Sequence, residues 1–179
     1  DKPILDYFKK ILNQFYGHEI KEVLRENGVY HLSYHSKYFV EFFKALGVKN
    51  WKSEDKEVPH SIYTAPRQAV IGFLQGLFSD GTVKVDMVKK TFYIRLTAKS
   101  LKLLKGVQQL LLNLGIFSKI YNRSRPLREG FTYTDKKGKT HKYILDGVCF
   151  ELQISRENIK KFIEKIAGNN LFCLTSLAI

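Results

Sequence analysis

Phe73-Leu74-Gln75-Gly76-Leu77-Phe78-Ser79-Asp80-Gly81-Thr82 is an apolar run at helical spacing that stops at Asp80-Gly81 and passes into alternating text. Pro66 marks its start, and Val70, Ile71, Leu74 and Leu77 supply faces to bury, so the pattern predicts a helix from Arg67 to about Ser79. Beyond the turn, Val83 and Val85 point one way while Thr82, Lys84 and Asp86 point the other. Phe92, Ile94 and Leu96 then oppose Tyr93, Arg95 and Thr97. That alternation predicts a half-buried hairpin with one wet, mostly basic face.

Toward the C-terminus, Ser100 opens a helix whose stripe is Leu101, Leu104, Val107, Leu110, Leu111 and Leu114, closed by Gly115. A strand over Phe117–Arg125 puts Lys119, Tyr121, Arg123 and Arg125 on one face. A Lys/Thr/Gly-rich loop or ribbon (Leu127–Leu145) leads to a strand at Val148–Ile154, with Gln153 on the wet side, and then Ser155 is predicted to cap a helix over Arg156–Ala167. Toward the N-terminus the text predicts a helix over Pro3–Phe15, strands at His18–Leu24 and Val29–His35 around Asn27-Gly28, and a Ser36-capped helix over Lys37–Leu46. A polar connector, Lys49 to Thr64, contains Pro59.

These elements repeat. Asn27-Gly28-Val29 followed by Ser36-Lys37 matches Asp146-Gly147-Val148 followed by Ser155-Arg156, with Gly and Ser 8 residues apart in both copies (36 − 28 and 155 − 147). This offset is 119 residues, whereas the helix-ending Gly17 and Gly115 are offset by 98, so the second copy carries 21 extra residues, read as an insertion near 126–146. The unit is helix, strand, strand, helix. Asp80 lies 35 residues before Gly115, and the same step back from Gly17 falls outside the chain, so only the second copy has a leading helix and hairpin.

Charge follows the same division. The chain of 179 residues carries 30 Lys+Arg against 17 Asp+Glu, a net charge of +13. Residues 1–65 contribute +1 (10 basic, 9 acidic) and residues 66–179 contribute +12 (20 basic, 8 acidic). A one-signed field on strands points to a polyanion, most often nucleic acid, whereas an anionic membrane usually meets a basic amphipathic helix. At 44% hydrophobic the chain is globular rather than disordered. Two cysteines, Cys149 and Cys173, exclude a disulfide scaffold and a four-Cys zinc site, and read as unreactive thiols in a reducing cytoplasm. No apolar run is long enough to span a membrane. His31 and His35 share a strand face, but two histidines without a third ligand are a weak metal signal beside a surface or DNA-facing role.

The stretch 73–82 resembles a LAGLIDADG motif, and with the duplicated unit around it the chain resembles the LAGLIDADG homing endonucleases. Val58-Pro59 and Ala65-Pro66-Arg67 ahead of the motif, and Leu110–Ile116 after it, fit the intein-encoded branch. The resemblance implies an α+β fold, an αββαββα pseudo-twofold repeat with antiparallel saddle-like sheets, its first copy incomplete here. It divides the chain into an incomplete first subdomain (1–48), a connector (49–65), a complete second subdomain (66–168) and a tail (169–179). It further implies a Mg2+-dependent endonuclease for double-stranded DNA, with no membrane partner. The missing part of the first subdomain and an intein splicing domain are the protein partners it suggests.

Residue by residue, the resemblance makes Asp80 a metal ligand and catalytic acid, against the plain reading of an Asp-Gly turn. Lys56, three residues before Pro59, matches a connector lysine that stabilises charge on the scissile phosphate, although Asp55 and Glu57 beside it equally fit a solvated charge run. Gln153 falls where the family orders water. Lys84, Lys89, Lys90, Tyr93, Arg95, Lys119, Tyr121, Arg123, Arg125 and Arg128 form the expected DNA face. Gly72 and Gly76, one turn apart, would let a second helix approach closely. The motif is one residue shorter than the family's, which rotates the downstream chain by about 100° if the helix runs on. Its partner acid would lie ahead of Asp1, and the splicing residues are absent, so cleavage by this chain alone is expected to be poor. A non-cleaving DNA- or RNA-binding relative (a maturase or a degenerate endonuclease) is the alternative, and an interaction module using the apolar tail Leu171–Ile179 is a third.

Overall fold

The protein is described by a computed structural model over residues 2–26, 28–86, 88, 91–135, 138–145 and 147–167. Lys89, Lys90, Cys173, the tail from 168 and the residues Asn27 and Asp146 of the repeat lie outside the described residues. The chain divides into two compact units, Asp1–Lys49 and Asn50–Ile179. No described helix is long and apolar enough to cross a membrane.

The first unit is helix, strand, strand, helix: α1 (Lys2–Tyr16), β1 (Val23–Leu24), β2 (Tyr30–His31) and α2 (Lys37–Ala45). β1 and β2 pair antiparallel, with Val23 opposite His31. Ser36 caps α2 by accepting from the Phe39 N–H at 3.4 Å. The strands are much shorter than the alternation predicts, because α1 takes the flanking groups. Asn13 Oδ1 accepts from the Ile20 N–H and the Tyr34 hydroxyl, and the Tyr16 hydroxyl donates to the His35 carbonyl. Lys2 and Lys9 both ion-pair with Glu22, tying α1 to the segment entering β1.

The second unit begins with a one-turn helix, α3 (His60–Tyr63), then α4 (Arg67–Phe78), β3 (Thr82–Asp86), β4 (Thr91–Ala98), α5 (Leu101–Asn113), β5 (Lys119–Asn122), β6 (Arg128–Thr134), β7 (Thr140–Leu145), β8 (Phe150–Ser155) and α6 (Glu157–Phe162). α6 continues as a π-helical turn, Ile163–Ala167. β3, β4, β8 and β5 make one antiparallel sheet in that order, while β6 and β7 form a separate ribbon. The ribbon occupies the 21-residue excess of the second copy.

Alternation works as the sequence predicts. Ile94, Leu96, Leu152 and Ile154 are buried with Leu74, Phe78, Leu104, Leu111 and Phe162 from the helices. Phe78 meets Phe162 edge to face, ring centroids 4.8 Å apart. Toward the β3–β4 turn the apolar face outruns its cover, leaving Val85 and Phe92 exposed. The duplication is also visible in backbone shape. Gly17 and Gly115 have φ of 84° and 74°, and Gly28 and Gly147 have 77° and 66°, the left-handed region that glycine enters without a Cβ penalty.

The repeat fails at its cap. Ser36 caps α2, but Ser155, predicted to cap α6, is instead the last residue of β8. Arg156 occupies the cap position with φ 57° and no side-chain cap bond. Ser155 is held in the ladder opposite Tyr93, so it is too extended to turn back over the helix. Its counterpart Ser36 lies beyond a two-residue strand and has no such partner.

Candidate nucleic-acid interface

The register of the four-stranded sheet assembles its outward face in rows. One row runs Thr82, Arg95, Gln153 and Lys119 across β3, β4, β8 and β5. A second runs Lys84, Tyr93 and Ser155, and a third Thr97, Glu151 and Tyr121. Residues up to 73 positions apart in sequence (155 − 82) thus come onto one face through strand pairing. β5 ends at Asn122, short of the predicted Arg125, yet the ladder continues in single bonds: the Arg123 N–H donates to the Cys149 carbonyl at 2.8 Å and the Arg125 N–H to the Gly147 carbonyl at 2.9 Å. Both arginines therefore stay beside the sheet. Gly147 permits this, since a Cβ there would fall 2.1 Å from the Arg125 carbonyl oxygen.

At the middle of this face lies a residue that charge counting did not single out. Glu151 is only 5% exposed although it points outward. Arg95 Nη1 reaches its Oε2 at 3.1 Å, Arg123 Nε approaches Oε1 at 3.4 Å, and Gln153 Nε2 also donates to Oε1. The Arg123 guanidinium lies over the Tyr121 ring, 5.0 Å from its centroid. Arg95 Nε is buried and has no hydrogen-bond partner among the described residues. Gln153, its amide nitrogen committed to Glu151, presents its carbonyl oxygen as an acceptor. Alternation placed Glu151 on the wet side; its burial comes from arginines on other strands.

A cleft of about 560 Å³ adjoins the face and is lined by Lys119, Tyr121, Gln153, Ser155, Arg156 and Asn158 among others. Arg156 was not singled out from the sequence; its positive φ turns the chain out of β8 beside Lys119. Arg128 begins the separate ribbon, and its side chain is outside what is described.

Asp80 sits in the turn between α4 and β3 and is exposed. α4 closes at Phe78, and the Gly81 N–H returns to the Phe78 carbonyl at 2.9 Å. This tight turn absorbs the short motif. Gly81 is buried against Arg95, whose carbonyl oxygen would stand 3.3 Å from an added Cβ, so Asp80 is delivered beside the strand that carries Arg95. Its carboxylate oxygens are the hard donors that Mg2+ prefers. Among the described residues no group of three His, Cys, Asp or Glu gathers as a metal cage, so any ion at Asp80 would take most of its ligands from water, phosphate or a further acid.

Lys56 is exposed, and its carbonyl oxygen accepts from the Ser100 hydroxyl at the start of α5. Its neighbour Glu57 pairs with Lys102 of α5. No described hydrogen bond or ion pair joins Lys56, Gln153 and Asp80 to one another. Gly72 and Gly76 are exposed on α4, and a Cβ at either would meet nothing within 4 Å. The helical glycine that permits close approach inside this unit is Gly106 of α5, where an added Cβ would fall 2.7 Å from Val58 Cγ2 and 2.5 Å from the Tyr63 hydroxyl.

The family described as the LAGLIDADG-like domain matches residues 68–167. A probable translation initiation factor IF-2 of Methanocaldococcus jannaschii is 30% identical over 122 residues, covering 64% of this chain and 10% of that protein. The ribonucleoside-diphosphate reductase NrdEB subunit alpha of Bacillus subtilis is 32% identical over 104 residues, covering 58% and 9%. A DNA polymerase of Thermococcus hydrothermalis is 31% identical over 107 residues, covering 59% and 6%. The chain spans a tenth or less of the length of these relatives. Two solved structures of the homing endonuclease I-DmoI share the fold. A variant in complex with its target DNA in the presence of Mg superposes at TM-score 0.54 with 20% identity, over 93% of this chain and 71% of that one. A structure from a study of its mesophilic variants gives 0.58 with 19% identity, over 96% and 73%. Matched over more than half its length and folded on the same plan, the chain belongs to the LAGLIDADG-like domain family.

Proposed function

We propose that this chain is the DNA-handling part of a homing-type endonuclease, carried within a larger host protein in the intein manner. Duplex DNA lies on the outward face of β3–β4–β8–β5, and Asp80 is one of two acids that hold Mg2+. The observation that carries this reading is the cationic face itself: Lys84, Arg95, Lys119, Arg123 and Arg125 stand on or beside one sheet with Asp80 at its edge. The host reading is supported by relatives whose names have nothing in common, an initiation factor, a reductase and a polymerase, each matching part of this chain over a tenth or less of its own length. That is the distribution of a module separate from any of those activities. The divisions 1–48, 49–65, 66–168 and 169–179 belong to the same proposal.

Each side chain has a task on this reading. Arg95 and Lys119 present N–H groups to guanine edges or phosphates in the major groove, and Lys84 and Arg125 neutralise phosphates. Lys89, Lys90 and Arg128 are further DNA contacts on the strength of the sequence alone, and Tyr93 and Tyr121 supply flat surface between the cations. Gln153 accepts from a water through its remaining oxygen. Lys56, on backbone pinned to α5, stabilises charge on the scissile phosphate. Asp80 would help hold Mg2+, which would supply Lewis-acid activation of that phosphate and of the attacking water. Gly72 and Gly76 offer the face on which a second acid-bearing helix would pack.

A second reading, a protein that binds without cutting, is favoured by Asp80 standing outside any group of three metal-ligating side chains among the described residues. One experiment separates them. The chain is titrated with random-sequence duplex across NaCl concentrations, with RNA as competitor, and incubated with a random-insert plasmid library with and without Mg2+. The DNA reading expects log affinity to fall against log salt with a slope of about −5 or steeper, from six or more phosphate contacts. Asp80→Asn should keep that slope and abolish Mg2+-dependent nicking. A slope near zero, or preference for RNA, overturns DNA binding; steep binding with no cutting by either protein establishes the second reading.

A further inference from the structure

A surface built only to attract a polyanion gains nothing from an anion buried at its centre, yet Glu151 is there. It is 5% exposed on the central strand β8, flanked by Thr97 of β4 and Tyr121 of β5. Each of its oxygens is occupied: Oε2 by Arg95 Nη1, Oε1 by Arg123 Nε and Gln153 Nε2. The consequence for the arginines is geometric. A guanidinium is a planar fork, and fixing one N–H of the fork fixes the direction of the others. Arg95 is engaged through one terminal nitrogen, and Arg123 through Nε while stacked on Tyr121. Both forks therefore keep N–H groups in a set orientation, as bidentate reading of a guanine edge requires. The same carboxylate removes one unit of positive charge from a face whose sequence-independent affinity depends on charge count.

We propose that Glu151 is a positioning residue that sets sequence discrimination: it holds the Arg95 and Arg123 forks in reading geometry and lowers the attraction of the face for arbitrary DNA. This inference rests on the DNA-binding reading above and adds how that site distinguishes one duplex from another.

The test uses the full chain, a random-sequence 30-base-pair duplex and repeated selection from a random duplex pool. Glu151→Gln keeps shape and one acceptor but loses the charge. It should bind the random duplex about 3- to 10-fold more tightly at low salt, with a slope steeper by about one unit, as expected for one more cation free to meet a phosphate. Selection with this variant should yield a weaker consensus than selection with the parent chain, and Glu151→Asp should restore part of it. A loss of affinity equal for random and selected duplexes, or an unchanged slope and consensus in a folded variant, overturns the proposal. Should Glu151→Gln not fold, Glu151→Asp serves instead, since it keeps the charge and draws the carboxylate back from the Arg95 and Arg123 forks. The salt slope should then stay and the consensus weaken at defined positions; a retained consensus overturns the proposal. Absence of any salt-dependent duplex binding by the parent chain is a different result and defeats the DNA reading itself.

Discussion

Glycines on the helices look interchangeable in the text and behave oppositely in space. Gly72 faces open space in the middle of α4, so Gly72→Ala should stabilise the second unit by about 0.5–1 kcal/mol, the usual gain on removing glycine from a helix interior. Gly106 is buried where Val58 and Tyr63 of the connector press on α5. Gly106→Ala gains the same propensity but overpacks Val58, at a cost of about 1–3 kcal/mol, so the net change should be a loss. Urea melts of the two variants check the sign of each. The sequence exposed the Gly72/Gly76 spacing because one helical turn is a local period. Gly106 lay hidden inside a leucine stripe, since what crowds it arrives from a connector more than 40 residues upstream (106 − 63). Glu151 is the same case in polar form: its face could be read by alternation, its burial could not.

At the level of elements, α1 is tethered by charge. The Lys2 and Lys9 ammonium groups beside Glu22 hold its carboxyl below the ordinary value. A carboxyl depressed by folding contributes stability at pH above its unfolded value of 4.5, and that contribution fades as pH falls through the lower folded value. The lysines are raised by the same contacts, so their share is complete below their ordinary pKa of 10.5 and is lost as pH rises beyond it. Hydrogen exchange in residues 1–49 should therefore quicken between about pH 5 and pH 3 relative to the intrinsic rate. Glu22→Gln should flatten that acid limb; an unchanged limb would show that the clip carries no stability. The strands of this unit are shorter than predicted because Asn13 and Tyr16 of α1 take the Ile20 N–H and the His35 carbonyl. A side chain that captures a backbone group competes with the ladder, and nothing in strand periodicity reveals it.

For the whole molecule, the two units differ in what they bury. Every buried apolar side chain among the described residues lies between Val58 and Ala167. The first unit instead lines an open apolar groove of about 580 Å³ with Phe8, Leu12, Phe15, Phe39 and Phe42 among others. A fragment spanning 50–179 should accordingly melt cooperatively, with the near-ultraviolet signal of the parent's second unit. A fragment spanning 1–49 should show no cooperative transition, because a domain this small with no closed core cannot offset its chain entropy. Loss of cooperativity in the larger fragment would show that its core depends on the first 49 residues. The same asymmetry appears in charge, +1 for residues 1–65 against +12 for the rest, so the core and the cationic face travel together.

What the sequence determined by itself is what short-range geometry carries. Turn glycines with positive φ, the Ser36 and Ser100 caps, the alternation that separates core from cationic face, and the duplication of helix, strand, strand, helix all act within a few residues. What tertiary structure alone decided is set by whatever packs opposite. Strand pairing made Glu151 a buried hub and kept Ser155 from capping α6, and the connector made Gly106 rather than Gly72 the crowded glycine. Side-chain period fixes which way a residue points; only the neighbouring strand or helix fixes what it meets there.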